Sequence, residues 1–246
     1  MLIREHMVTS GNWLFRHRSF VLLPLLLLAF ASIALSGPPA EAGAAAVLGR
    51  IAQGLGLALV VAGLLGRVLT VGFVRERTSG RNTEGQVADE LNTSGAYSLL
   101  RNPLYLANCL IYAGLVLFSQ QWLLLAVLLP VTALHYERII AAEEDFLLQR
   151  FGQHYREWAA RTPAFWPRFS DWRAPELGFS WRMALRRELT TVLFATLALY
   201  LLALAQASFG GGTLAAGWHV ALALVAVAWV ALRIAILNGR FRKIER

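Results

Sequence analysis

Residues 103–140 read PLYLANCLIYAGLVLFSQQWLLLAVLLPVTALHYERII, two apolar runs joined by Ser119-Gln120-Gln121, with no charged residue before Glu137. Each run is long enough for a membrane helix and the connection is tight, so the stretch predicts a helical hairpin in a bilayer. Similar runs flank it. Working outward, they lie at Ser19 to Ser36, about Ala45 to Val74, Leu189 to Gln206 and about Trp218 to Leu237. The expected architecture is all-α, a polytopic membrane bundle of about six transmembrane helices with interfacial helices on the cytoplasmic side. Alternating ten-residue barrel strands are absent. The division expected along the chain is residues 1–88 with two spans, 89–170 as a core of two spans and a cytoplasmic segment, and 171–246 with an interfacial segment and two further spans.

Composition agrees. Of 246 residues 57% are hydrophobic and only 15% charged, and mean hydropathy is +0.52. A soluble domain carries about 25% charged residues. The net charge of +8 comes from 23 cationic residues, all arginine except Lys243. Twenty of them fall in residues 1–18, 75–103, 137–188 and 239–246, and none in 37–44, 119–121 or 207–217. By the positive-inside rule both termini and both large loops are cytoplasmic. The basic charge is then a topology signal, and no nucleic-acid partner is expected. The polar lead before the first run favours a retained anchor over a cleaved signal peptide. The single Cys109 excludes an internal disulfide framework, and no metal site is expected.

Gly54, Gly56, Gly63 and Gly66 in the second run suit close helix packing in lipid, and Gly210-Gly211-Gly212 reads as a turn. Arg50 and Arg233 lie near helix ends, where they can snorkel. Arg67 sits about two turns inside, so it is either a functional cation or another snorkelling side chain.

Chemistry concentrates on the cytoplasmic flanks of the hairpin. Asn102-Pro103 is a good helix start, Asn as cap and Pro at the first helical position. That start turns free N–H groups and the positive dipole end toward Arg101. On the other flank Glu143-Glu144-Asp145 sits near a helix end, unfavourable with the dipole unless cations or donors meet it. Leu147, Phe151, Tyr155 and Trp158 form an apolar stripe at helical spacing, as in an interfacial helix. With Gln120 as pivot, Pro103 is level with about residue 137. Arg101, Asn102, Tyr105, Glu143 and Glu144 can therefore surround one pocket that offers both signs of charge.

These flanks resemble the isoprenylcysteine carboxyl methyltransferases and their phospholipid methyltransferase relatives. The resemblance rests on Thr93-Ser94-Gly95-x-Tyr97, Arg101-Asn102-Pro103-x-Tyr105, Glu143-Glu144-x-x-Leu147, Phe151-Gly152-x-x-Tyr155 and Arg161-x-Pro163, across about residues 90–168. It implies a membrane-embedded methyltransferase using S-adenosyl-L-methionine, enclosed between helix ends and the following cytoplasmic segment. By the same resemblance Arg101, Asn102 and Tyr105 contact the cofactor's methionine portion, Glu143 or Glu144 holds its amino group or ribose, and Tyr97 and Pro103 belong to the same cofactor site. Two residues depart from the pattern, Asn102 where the family has His and Ala107 where it often has Gly. The implied acceptor is a lipid or an amphipathic small molecule. An amine or thiol acceptor needs a base, for which His135, Glu137 and His154 are the nearby candidates; Arg67 is a further candidate catalytic residue as an intramembrane cation. Scarce lysine points to a bacterial inner membrane, where prenylated protein acceptors are not expected. The competing class is a non-catalytic membrane scaffold or transporter that retains the fold.

Overall fold

In a computed structural model, residues 3–20, 22–36, 42–75, 78 and 88–239 are described, and among them there is no strand. The α-helices are α1 (Ile3–His17), α2 (Leu22–Ser36), α3 (Gly43–Gly72), α4 (Ala96–Leu99), α5 (Pro103–Ser119), α6 (Trp122–Arg161), α7 (Trp181–Phe209) and α8 (Ala216–Leu237).

Four of these, α3, α6, α7 and α8, are long and apolar enough to cross a membrane. The other two expected spans are shorter. α5 has 17 residues, about 25 Å at 1.5 Å per residue against a hydrocarbon core of about 30 Å, and α2 has 15. The six-span expectation therefore depends on these two. α6 departs in the other direction. Its 40 residues do not stop near residue 140 but run to Arg161, broken only at Gly152, whose φ of 55° and ψ of −124° are not helical. The stretch before the break, residues 122–151, is about 45 Å long and already exceeds the hydrocarbon thickness, and beyond the kink the chain comes back beside the start of α5, where the Pro163 carbonyl accepts from Arg101.

Ile33, Val60, Ile111, Leu115, Leu199 and Leu202 form the main core, contributed by α2, α3, α5 and α7. The largest interface is α3 on α5, and glycine explains how close it is. A Cβ on Gly56 would lie 2.6 Å from the Gly114 carbonyl oxygen, and one on Gly63 would lie 2.6 Å from that of Ala107. In lipid, helices associate through such backbone approach. Gly54 meets nothing within 4 Å and Gly66 makes only ordinary contact with Ala107, so two of the four expected positions carry the packing. Ala107 accordingly faces α3, not the hairpin flank where its methyl would crowd a cofactor.

At the hairpin turn Gln120 takes the left-handed conformation, φ 60°. The Gln206 side chain of α7 donates to the Phe118 and Ser119 carbonyls at 3.2 Å each and accepts from Gln53 at 3.0 Å. It thereby satisfies carbonyls that the end of α5 leaves open. α8 packs against α7 and buries no residue, as expected of a helix surrounded by lipid.

α1 is the feature the sequence reading lacked. It is a 15-residue helix packed on α6. A Cβ on Gly11 would overlap the Arg138 carbonyl, and Phe15 joins Tyr105, Tyr136 and Ile139 in a second core. The polar lead is thus part of the bundle.

Candidate functional site

The start of α5 and the far half of α6 meet at the arginine-rich end. The Tyr105 hydroxyl donates to Glu143 Oε1 at 2.7 Å, and Arg101 Nη1 pairs with Glu144 Oε1 at 2.9 Å. Counting along an ideal hairpin leaves Tyr105 and Glu143 about 12 Å apart in level. Side-chain direction closes that gap. Helical side chains lean toward their own N-terminus. In α5 that is outward, and in α6, which runs the opposite way, it is back toward the apolar layer.

Arg18, which follows α1, acts electrostatically on both Tyr105 and Glu143, and its guanidinium lies 3.8 Å from the Phe15 ring centroid. The cluster therefore holds two cations, Arg18 and Arg101, against two carboxyls. Burial pushes the Glu143 carboxyl up from the ordinary range, with Glu144 adding to it, while Tyr105 and Arg18 pull it back. Burial, and then Glu144, push the Tyr155 phenol up to about 12, while Arg101, which donates to it, pulls it back, so Tyr155 stays neutral beside Arg101.

A strap of chain after α6 closes over this end. The Arg101 N–H donates to the Pro163 carbonyl at 2.8 Å and the Arg168 N–H to that of Leu99 at 3.0 Å. The Asn102 side-chain amide donates to the Ala164 carbonyl at 2.8 Å. This corrects the expected cap. Asn102 occupies the N-cap position of α5, but its side chain makes no capping bond; the amide is turned instead to the strap, to which its NH2 group donates. Phe165 of the strap packs with Tyr105 and Tyr136.

The other expected positions divide. Pro103 is the buried first residue of α5. Tyr97 packs with Val71, Val74 and Met183, apart from the cluster. Glu137 and His154 are exposed. His135 sits edge-on to Tyr136, and its buried Nε2 has no partner. Arg67 does not snorkel. Its fork donates to Glu188 at 2.6 and 2.9 Å and to Asn108 at 2.7 Å, with Glu188 only 3% exposed. Glu188, Asn108 and Arg18 were absent from the sequence reading. Glu188 had a signal, an acid beside Arg186-Arg187 at the mouth of an apolar run, while Arg18 had none without α1.

Whether this end suits a zwitterionic ligand can be judged from its donors and acceptors. Acid and base stand side by side at Glu143, Glu144, Arg101 and Arg18, and the buried Arg101 Nε has no partner. A donor left unpaired by the protein is one a ligand can use. Among the described residues no group of three or more His, Cys, Asp or Glu is placed to hold a metal.

Fold and cluster together define a helical membrane protein with a mixed-charge site at one end of a helix hairpin. Residues 51–154, which include that hairpin, match the family model described as phospholipid methyltransferase. Two curated relatives are similar. The nickel-cobalt-cadmium resistance protein NccN of Alcaligenes xylosoxydans xylosoxydans is 37% identical over 117 residues, 48% of this chain and 54% of that protein. The cobalt-zinc-cadmium resistance protein CzcN of Cupriavidus metallidurans is 43% identical over 89 residues, 36% of this chain and 41% of that protein. The chain spans about half the length of the curated relatives it matches. No solved structure matches it.

Proposed function

We propose that this chain is an S-adenosyl-L-methionine-dependent methyltransferase acting on a lipid-embedded or amphipathic acceptor at the cytoplasmic face of a bacterial inner membrane. The observation that carries the reading is the cluster of Arg101, Tyr105, Glu143 and Glu144 inside the segment that matches phospholipid methyltransferases. In this reading Glu143 and Glu144 hold the cofactor's amino or ribose groups, and Arg101 with its open Nε holds the carboxylate.

The bound cofactor supplies a methyl group already activated on a sulfonium. Little acid–base work is left to the protein, whose tasks are positioning and exclusion of water. The strap and α1 cover the cluster, and Tyr105 fixes the Glu143 carboxylate. A carboxylate or phosphate acceptor needs no base. For an amine or thiol the unpartnered Nε2 of His135 is the base candidate that the protein encloses, since Glu137 and His154 are exposed, while Arg67 is a cation already held by Glu188 and Asn108. The second reading, a non-catalytic membrane protein with the same fold, draws on the names of the relatives, which speak of metal resistance.

Cofactor binding separates the two. Purified wild type should bind S-adenosylhomocysteine, and incubation with labelled S-adenosylmethionine and a total lipid extract should label one acceptor class. Asn102→Ala removes the bond to the Ala164 carbonyl. It should cost about 1 kcal/mol of stability but a larger share of cofactor binding, whereas Asn102→His, which can still donate, should retain binding. No detectable binding to well-folded wild type would sink the proposal.

Orientation has its own check. Thiol labelling of Gln120→Cys and Gly211→Cys in a Cys109→Ser background should succeed from outside intact cells. Labelling of either only after permeabilisation would reverse the scheme. The third loop position, Glu41, lies outside the described residues.

A further inference from the structure

A pocket of about 630 Å³ opens beside the strap, and none of the cofactor candidates lines it. Its cationic lining is Arg161, Arg168 and Arg173, opposed by the single acid Asp171. Ser98 and Ser170 add hydroxyls, and Trp158 and Trp172 add aromatic walls.

Hydrogen bonds fix the level of this pocket against the apolar helices. The Arg173 N–H donates to Ser98 Oγ at 2.9 Å, and the Arg173 carbonyl accepts from Gly95 at 3.0 Å. Arg168 is tied to Leu99, four residues before α5 begins. Further on, the Ser180 N–H donates to the Gly72 carbonyl at 2.8 Å, the last residue of α3. The segment from 168 to 180 is therefore stitched to the ends of two apolar helices and runs at the level of the membrane surface.

Its outer face matches that position. Trp166 and Phe169 are 77% and 76% exposed, and Trp172 and Trp181 are more than half exposed. Four large aromatics turned outward within sixteen residues are poorly placed in water. Aromatic side chains with arginine among them are what the interfacial layer of a bilayer favours.

We infer that this pocket binds the phosphate-bearing headgroup of an anionic phospholipid of the cytoplasmic leaflet, with the outward aromatics seated among the neighbouring acyl chains. Arginine forks match phosphate oxygens in pairs, and a leaflet rich in anionic lipid draws clustered arginines to its surface. The lipid bound here is a resident of the protein's edge, separate from the cofactor cluster assigned in the proposed function, since Arg101, Tyr105, Glu143 and Glu144 all lie outside the lining.

Native mass spectrometry of the full chain in neutral detergent tests this, with dioleoylphosphatidylglycerol and dioleoylphosphatidylcholine as probes. The expected result is one retained phosphatidylglycerol and no comparable retention of phosphatidylcholine. Arg168→Gln and Arg173→Gln should each weaken that retention roughly tenfold, with unchanged melting. Arg156→Gln, an exposed arginine on α6 away from the pocket, should leave it unaltered. Equal retention of the two lipids would overturn the inference, as would an equal loss in Arg156→Gln, which would show charge alone at work. Displacement of the lipid by millimolar inorganic phosphate would make this a free-phosphate site. Displacement by S-adenosylhomocysteine would assign the pocket to the cofactor. Either result overturns the lipid proposal.

Discussion

Glu143→Gln combined with Glu144→Gln should weaken S-adenosylmethionine binding by at least an order of magnitude while the protein stays folded and membrane-inserted. A charge-assisted hydrogen bond contributes about 1.5–3 kcal/mol, and about 1.4 kcal/mol is a factor of ten in affinity. The fold should tolerate the change. Burial already pushes the Glu143 carboxyl toward its protonated form, so a neutral amide there still accepts from Tyr105 and relieves desolvation. The Glu144 pair with Arg101 is partly open to solvent and contributes modestly to stability. Calorimetry with S-adenosylhomocysteine, run beside a thermal melt, reads both quantities. Unchanged affinity in a folded double mutant would place the cofactor elsewhere.

The largest stability effect is expected at Glu188. Glu188→Ala leaves the Arg67 guanidinium without its main counter-charge inside an apolar bundle. Breaking one side of a buried pair costs about 3–5 kcal/mol, whereas replacing both partners by apolar residues is often neutral. Arg67→Met with Glu188→Leu should therefore recover most of what Glu188→Ala loses, apart from the bond that Arg67 gives Asn108. Denaturant titration in detergent compares the three proteins. A loss below about 1 kcal/mol in Glu188→Ala, or an equal loss in the double variant, would show that the pair does not pin α7 to α3 and α5.

How much of this was legible in the sequence depends on what each inference required. The apolar runs and the short Ser119-Gln120-Gln121 joint placed α5 and α6 as a hairpin, and counting from Gln120 as pivot brought Arg101, Tyr105, Glu143 and Glu144 to one end. The count left a gap between Tyr105 and Glu143 that only the opposed lean of the side chains closes. Asn102 was read as a cap from its type and position, which cannot show that its amide is engaged by the Ala164 carbonyl sixty-two residues on. α1 was unread because its burial depends on a partner, α6, extending past the membrane to receive it. Periodicity stops the fourth run near residue 140, where charges begin, but the helix continues because Leu147, Phe151, Tyr155 and Trp158 still give it an apolar face. Glu188 lay one residue outside the run counted as the fifth span.

Two of the three bonds that hold the strap to residues 99–102 run from main chain to main chain. Peptide groups are the same whatever side chain they carry, so most of that attachment is indifferent to the strap's own spelling. Only proline at Arg101 or Arg168 would remove a donor. Exchanging the exposed Trp166 or Arg168 for other residues therefore alters what the strap presents to lipid without altering where it lies, whereas Phe165 is held in the core with Tyr105 and Tyr136. For an engineer this makes Trp166 and Arg168 positions to vary when a different neighbouring lipid is wanted, with Asn102 and Phe165 kept as the side-chain anchors.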